Sequence, residues 1–173
     1  MLKILGIDPS FRNFGTAKAT YNKNTKQIEI TRLQLISPVV VDTRSLRGTR
    51  RNSDDLRRAE YLYGHTLDLC KDVDLVIAEV PVGSQSARAS VSYGVCIGLL
   101  ASLPVDLVQV TPIQVKKASV GNPQATKKQM IDWAYSLYPD LDWLTKRGRL
   151  LNSNEHLADA IATIHAAIFY KLI

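Results

Sequence analysis

The chain has 173 residues and 46% of them are hydrophobic, so residues 1–173 are expected to fold as a single domain with a substantial core. Its net charge of +6 favours a polyanionic partner, with nucleic acid the first choice. Two cysteines, Cys70 and Cys96, are too few for a disulfide framework or a zinc site, and we expect buried free thiols in a reducing compartment. No apolar run is long enough to cross a membrane and no secretory signal precedes the first strand, which predicts a cytoplasmic protein.

The first part of the chain has the pattern of three consecutive strands. Leu2–Asp8 is predicted to be a buried strand, because it is largely apolar until its last residue. Gly15–Tyr21 and Gln27–Ile36 follow as β segments, and the residues between them, Asn22 to Thr25, are typical of a hairpin. Short turns between sequential strands predict an antiparallel meander.

Helices alternate with strands in the rest of the chain. A helix is predicted from about Ser53 to Lys71, with a buried face formed by Leu56, Ala59, Leu62, Tyr63, Thr66 and Leu69. The elements predicted after it are a strand at Val73–Glu79, a small-residue helix at Ala87–Ser102, a strand at Val105–Val110, a short helix or turn at Thr111–Val120, and helices at Thr126–Leu137 and Asn154–Tyr170. This order predicts an α/β fold of the ribonuclease H-like kind: a mixed five-stranded sheet, its first three strands antiparallel, with helices on both faces.

Two of the predicted apolar strands end in a carboxylate, at Asp8 and at Glu79. Burying a carboxylate costs several kcal/mol, about 2–7 for a polar group without a partner, so each needs an explanation. Turn chemistry is one, since Asp-Pro-Ser is common in turns. If the two strands are neighbours, however, both carboxylates converge at one end of the sheet. The closing helix adds His156 and Asp159, which are three residues apart and share a helical face.

A magnesium site would account for this set of residues. Hard divalent cations prefer oxygen ligands, and two ions can activate a water and stabilise a departing 3′-oxygen. Asp8, Glu79 and Asp159 would form the acidic ligands. His156 could bind the second ion, orient the water or move a proton, or it could be a structural histidine.

Three other polar residues on the predicted helices have plainer interpretations. Glu155 also shares a face with Asp159, but a capping box with Asn152 at the helix start is preferred to metal ligation. His65 and His165 have no acidic neighbours three or four residues away, so we interpret them as surface or packing residues.

Four separated motifs resemble, in the correct order, those of the RuvC family of Holliday junction resolvases, over almost the whole chain. They are "GIDPSFRNFG", "LVIAEV", "QVKKASVGNPQATKKQM" and "HLADAIA". The resemblance implies a viral or otherwise divergent member of this family, and a viral protein would act in the host-cell cytoplasm.

The resemblance also implies a function and a set of site residues. By position, Asp8, Glu79, His156 and Asp159 match the metal-centred catalytic residues, and Lys116 and Lys127 match two basic residues near the scissile phosphate. The implied enzyme is a homodimeric crossover junction endodeoxyribonuclease. It would make paired nicks in four-way DNA junctions with Mg²⁺, or with Mn²⁺ in its place, and leave 5′-phosphate ends.

Basic residues outside the motif positions are expected to add DNA contacts. Lys117 and Lys128 lie beside the two motif lysines, although a solvated basic face is an alternative for all four. The polar connector between Pro38 and Ser53 is rich in arginine, which suits phosphate contacts, and a solvated loop is the alternative there. Its arginines are Arg44, Arg47, Arg50 and Arg51.

The sequence departs from the family pattern at two places. Ser10 stands where the family usually has a glycine, and the loop after Glu79 lacks the aromatic residues that bacterial members place against junction bases. The sequence therefore does not determine the substrate, and other branched DNA or RNA–DNA hybrids are the alternative to four-way junctions. An actin-like or sugar-kinase ATPase also begins with a strand ending in Asp, but it needs a second domain and a second phosphate loop.

Overall fold

The computed structural model describes residues 1–38, 51–80, 83 and 86–173, with the backbone alone for residues 51–53. Its main sheet has five strands: β1 (Leu2–Asp8), β2 (Phe14–Asn22), β3 (Gln27–Ile36), β4 (Leu75–Glu79) and β5 (Leu107–Val110). Their spatial order is β3-β2-β1-β4-β5. The first three strands are antiparallel, while β4 is parallel to β1 and β5 is parallel to β4. The predicted mixed sheet is confirmed.

Within the described part of the chain, five helices connect or follow these strands: α1 (Arg51–Cys70), α2 (Ala87–Ala101), α3 (Pro112–Ser119), α4 (Lys127–Leu137) and α5 (Asn154–Phe169). Both α3 and α4 begin with a capping box, in which a threonine and a glutamine three residues later satisfy each other's backbone N–H groups. A short hairpin of β6 (Thr145–Lys146) and β7 (Arg149–Leu150) precedes α5, and the sequence did not predict it. None of the helices in the described residues is long and apolar enough to cross a membrane.

The sheet separates two hydrophobic layers, as the expected helices on both faces require. Successive strand residues point to opposite faces, so Ile4 joins the layer under α3, α4 and α5, and Leu5 joins the layer under α1 and α2. The two cysteines are buried free thiols, as predicted.

The buried face of α1 is narrower than its apolar pattern predicted. Leu62, Thr66 and Leu69 are buried, but Leu56 is 60% exposed and Tyr63 is 37% exposed. Those two positions lie beyond the stripe of α1 that reaches the sheet.

The closing helix α5 lies in direct backbone contact with the sheet at two glycines. A Cβ atom on Gly6 would overlap the carbonyl oxygen of Ala160, and one on Gly15 would overlap the backbone carbonyl of His156. Because glycine has no Cβ, the helix backbone approaches β1 and β2 more closely than any other residue there would allow. This contact fixes the start of α5 beside the end of β1.

We expect Gly15→Ala to lower the free energy of unfolding by roughly 2 kcal/mol or more, because overpacking here displaces backbone and not a flexible side chain. Gly64→Ala is the matched control, since an added Cβ on this α1 residue meets nothing within 4 Å. The control should leave stability unchanged or raise it by about 0.5–1 kcal/mol. Urea denaturation of both variants measures the difference, and equal effects would contradict the close contact.

Candidate active site

The two strand-end carboxylates converge at one end of the sheet. The parallel pair β1–β4 aligns Ile7 with Ala78, so Asp8 and Glu79 are the next residues on adjacent strands. Parallel neighbours lie about 4.8 Å apart, which keeps the two side chains at one edge. The prediction that these strands are neighbours is confirmed.

The first turns of α5 bring the other two motif residues to the same place. His156 Nδ1 lies 2.6 Å from Asp8 Oδ2, and the His156 backbone packs on Gly15. Asp159 follows one turn later and is close enough to Asp8 and Glu79 for their charges to raise its pKa. The four residues form one cluster, which we call the acidic site: Asp8, Glu79, His156 and Asp159.

Burial makes negative charge unfavourable throughout the acidic site. Desolvation raises the pKa of Asp8, an effect that the His156 hydrogen bond opposes. Desolvation and then the Asp8 charge raise the pKa of Glu79 to about 7, and the same causes raise that of Asp159 well above its usual range. Carboxylates that repel one another at a buried edge need a positive partner to be ionised together.

The donor chemistry of the acidic site fits a hard divalent cation. It offers carboxylate oxygens, and Asp159 Oδ1 is buried with no hydrogen-bond partner in the described residues. The side chains are not already arranged as a closed ligand set, since no three His, Cys, Asp or Glu residues among those described are positioned to hold an ion. The fit therefore rests on the type and burial of the donors.

The two motif lysines lie at the acidic site and their neighbours do not. The charge of Lys116, half-buried on α3, lowers the pKa of both Glu79 and Asp159. Lys127 Nζ contacts both Glu155 oxygens, at 2.8 and 2.7 Å, and its charge lowers the pKa of Asp8. In contrast, Lys117 is exposed, and Lys128 pairs with Asp132 on its own helix.

The predicted capping box of Glu155 with Asn152 is wrong. The residue at the N-cap of α5 is Ser153, which makes no side-chain capping hydrogen bond. A capping box needs its glutamate three residues after the N-cap, and Glu155 is only two residues after Ser153. Its carboxylate forms an ion pair with Lys127 instead, and Glu155 Oε1 lies 3.5 Å from His156 Nε2. Glu155 thus borders the acidic site and raises the pKa of Asp8 and Asp159.

Asn154 is a structural residue that sequence reasoning missed. It is fully buried, accepts a hydrogen bond from the Leu144 N–H at 2.9 Å and donates one to the Leu144 carbonyl at 2.8 Å. These bonds tie the segment before the β6–β7 hairpin to the start of α5. No local pattern in the sequence indicates a partner ten residues away.

The remaining residues selected from the sequence are four arginines and two histidines. Arg44, Arg47 and Arg50 lie outside the described residues, as does the side chain of Arg51, which begins α1. His65 hydrogen-bonds the Tyr61 carbonyl, and His165 is enclosed by Trp133 and Tyr138, where burial lowers its pKa to about 4. Both histidines are packing residues, as interpreted.

A cleft of about 1210 Å³ opens beside the acidic site. Ser10 lines it without a positive φ, so the turn after Asp8 does not require glycine. Arg12 and Tyr93 also line the cleft, and neither was selected from the sequence. The signal for Arg12 was available, because it lies in the first motif.

Solved structures that superpose on this chain include junction-resolving proteins. RuvC of Thermus thermophilus in complex with a Holliday junction substrate superposes with a TM-score of 0.69 at 17% identity, covering 99% of this chain and 95% of that one. The chain has the fold of the RuvC-type resolvases. The yeast mitochondrial Holliday junction resolvase Ydc2 gives a TM-score of 0.65 at 12% identity, covering 99% and 79%.

A viral protein shares this fold as well. The fowlpox virus resolvase in complex with Holliday junction DNA gives a TM-score of 0.52 at 16% identity, covering 98% of this chain and 96% of that one. No protein-family model and no curated protein sequence matches the chain. The likeness to RuvC-type resolvases is thus one of structure, and it confirms the predicted ribonuclease H-like fold.

We expect Glu79→Gln to stabilise the protein at pH 8 in the presence of EDTA and to have no effect at pH 4. The pKa of Glu79 is raised from 4.5 to about 7. Its contribution to the stability of the folded protein is therefore complete below pH 4.5, where the carboxyl is protonated, and is lost as the pH rises through 7 and the buried carboxyl ionises. The amide carries no charge at either pH, so the gain at pH 8 should approach about 3 kcal/mol.

Thermal and urea unfolding at both pH values test this. The control is Glu60→Gln on the exposed side of α1, which should change stability equally little at pH 4 and pH 8. A Glu79→Gln variant that is no more stable than the parent protein at pH 8 would contradict the buried, repelled state of this carboxylate.

Proposed function

We propose that this protein is a Mg²⁺-dependent, structure-selective endonuclease that resolves four-way DNA junctions by paired, symmetric nicks. The observation that supports this most is the acidic site itself: three carboxylates and a histidine from β1, β4 and α5 meet at one edge of a RuvC-type fold. Two of the structures that share the fold contain Holliday junction DNA.

Bound Mg²⁺ would supply Lewis acidity, making the attacking water more acidic and stabilising charge on the departing oxygen. Asp8, Glu79 and Asp159 would hold it, with two ions per site and Mn²⁺ as a substitute. Water adds to phosphorus, the bond from phosphorus to the 3′-oxygen breaks, and the products are a 5′-phosphate and a 3′-hydroxyl.

His156 is oriented for this reaction by Asp8. In the tautomer in which Nδ1–H donates to Asp8 Oδ2, only Nε2 remains to bind an ion or to take a proton from the water. Lys116 and Lys127 would stabilise the negative charge that builds up on the phosphate oxygens in the transition state. Lys127 would have to exchange its Glu155 partner, at least in part, for phosphate.

Paired symmetric nicks require two active sites related by a two-fold axis, so we propose a homodimer. The helices considered for its contact are α4 and the small-residue helix α2, and each of them buries three residues in the core. On α2, added Cβ atoms at Gly94 and Gly98 would meet nothing within 4 Å.

Exposed apolar side chains surround this open stretch of α2. Ile97 is 44% exposed and Val91 is 51% exposed, and the adjacent α1 exposes further apolar residues. Small residues beside apolar ones permit close helix packing between two chains, so the α2 face is our proposed dimer contact.

We expect Ile97→Lys to convert a dimer to a monomer, because it places a charge in an apolar contact. Ile113→Lys is the control: Ile113 is similarly exposed, at 58%, but lies on α3 across the sheet. Light scattering at micromolar concentration should give a dimer for the parent chain and for Ile113→Lys. A monomeric parent chain, or a dimeric Ile97→Lys variant, would contradict the proposal.

We expect Asp8→Asn to abolish cleavage of a synthetic four-way junction while leaving junction binding nearly intact, because it removes a metal ligand and no main phosphate contact. Cleavage with Mg²⁺ should map to symmetric positions on two strands and stop with EDTA. Asp140→Asn, an exposed change away from the site, serves as the control and should cleave normally.

Parallel reactions on flap, hybrid and linear duplex substrates test the choice of substrate. Faster cleavage of hybrids or flaps than of junctions would favour the alternative nuclease. Loss of binding in step with cleavage would count against the role of Asp8 as a ligand.

A further inference from the structure

The cleft beside the acidic site is larger than a typical small-ligand pocket. Its volume of about 1210 Å³ exceeds the roughly 300–1,000 Å³ typical of small-ligand pockets. Asp8, Glu79 and His156 line one part of it. The remainder extends between the turn after β1 and the first half of α2, so a strand held at the acidic site would have neighbouring space for more of its length.

Among the described residues that line the cleft, one cationic side chain is free to bind an anion. Arg88 already donates to both Asp55 oxygens, at 2.5 and 2.6 Å, and Arg58 donates to Asp54 at 2.9 Å. Arg12, in contrast, is exposed and makes no ion pair or hydrogen bond with any residue that the structure describes. It lies four residues after Asp8 in the same turn, and a guanidinium group suits bidentate contact with phosphate.

An aromatic side chain of the cleft is also without a partner among the described residues. Tyr93 on α2 is half-buried and lines the cleft, but it is not among the side chains packed on the core layer below. Its hydroxyl has no hydrogen bond and its ring no aromatic contact within the described residues. The neighbouring cleft residues Ala89 and Ser92 have small side chains.

An unpaired guanidinium and an accessible aromatic ring are the two groups that hold a single nucleic-acid strand, one binding its phosphate and the other stacking on its base. We propose that this cleft binds the nucleotide adjoining the scissile phosphate, with Tyr93 stacked on its base and Arg12 paired with its outer phosphate. This inference rests on the proposed nuclease function. Because stacking tolerates every base, Tyr93 would set the position of the cut more than the sequence that is cut.

Stacking can be measured without catalysis in the Asp8→Asn protein. Two labelled junctions are used, each with a single 2-aminopurine: in one it lies on the 5′ side of the mapped scissile phosphate and in the other on the 3′ side. The fluorescence of each junction is followed as the protein binds. We expect quenching at one of the two positions with Tyr93 and with Tyr93→Phe, and no quenching with Tyr93→Leu. The leucine variant should also bind about tenfold more weakly and cleave with less precise positioning when Asp8 is intact.

The role of Arg12 is tested by the salt dependence of binding. Arg12→Gln should reduce the slope of log K against log salt concentration by about 0.7–0.9, the loss of one phosphate contact. Arg32→Gln, on the exposed side of the edge strand β3, is the control and should leave the slope unchanged.

The outcomes separate this inference from the function on which it rests. If neither the parent protein in EDTA nor the Asp8→Asn protein binds the junction, both fail together. If only the Asp8→Asn protein fails to bind, the parent protein in EDTA replaces it in the stacking measurement. If the junction is bound but neither 2-aminopurine position is quenched, the stacking proposal alone is overturned. The same holds if Tyr93→Leu folds and quenches the fluorescence as strongly as the protein with Tyr93. Should Tyr93→Leu fail to fold, the quenching in the Asp8→Asn protein still decides it.

Discussion

The backbone contact between α5 and the sheet is the constraint on which the rest of the structure depends. Gly6 and Gly15 let the helix approach so closely that a single added carbon on either would overlap its backbone. The polar residues at the start of α5 are therefore held against the end of β1, where His156 bonds Asp8. At ordinary helix–sheet separation, the same side chains would not reach the strand-end carboxylates.

That placement lowers the stability of the folded protein. Three carboxyl groups are buried together, and desolvation is the main cause that raises the pKa of each. The charge of Asp8 adds to this at Glu79 and Asp159, and the charge of Glu155 adds to it at Asp8. Lys116 and Lys127 offset part of the charge from the rim of the site, and Lys127 is shared with Glu155. Because the negative charges of these carboxylates repel one another, the site is suited to a divalent cation, which would balance them. The cation and the two lysines would in turn balance the negative charge of a bound phosphate.

The sequence predicted those parts of the molecule that periodicity and chain order control. The strands ending at Asp8 and Glu79 followed from their continuous apolar runs, and element order favoured a sheet in which they could be neighbours. The capping error at Glu155 arose from a helix start displaced by one residue, which local patterns do not resolve. The β6–β7 hairpin is too short to show a period, and the cleft positions of Arg12 and Tyr93 depend on how α2 packs beside a distant turn. The roles of the site residues stay predictions.

The parallel pairing of β1 with β4 has a consequence for how such a chain can diverge. The separation of Asp8 and Glu79 is determined by ladder hydrogen bonds between main chains, over four aligned residue pairs. Side chains elsewhere in the two layers can therefore be exchanged, provided that volume and alternation persist, without altering the spacing of the acids. The backbone thus determines the geometry of the site, and only a few side chains need to stay the same. This is consistent with a fold that is shared at 12–17% identity.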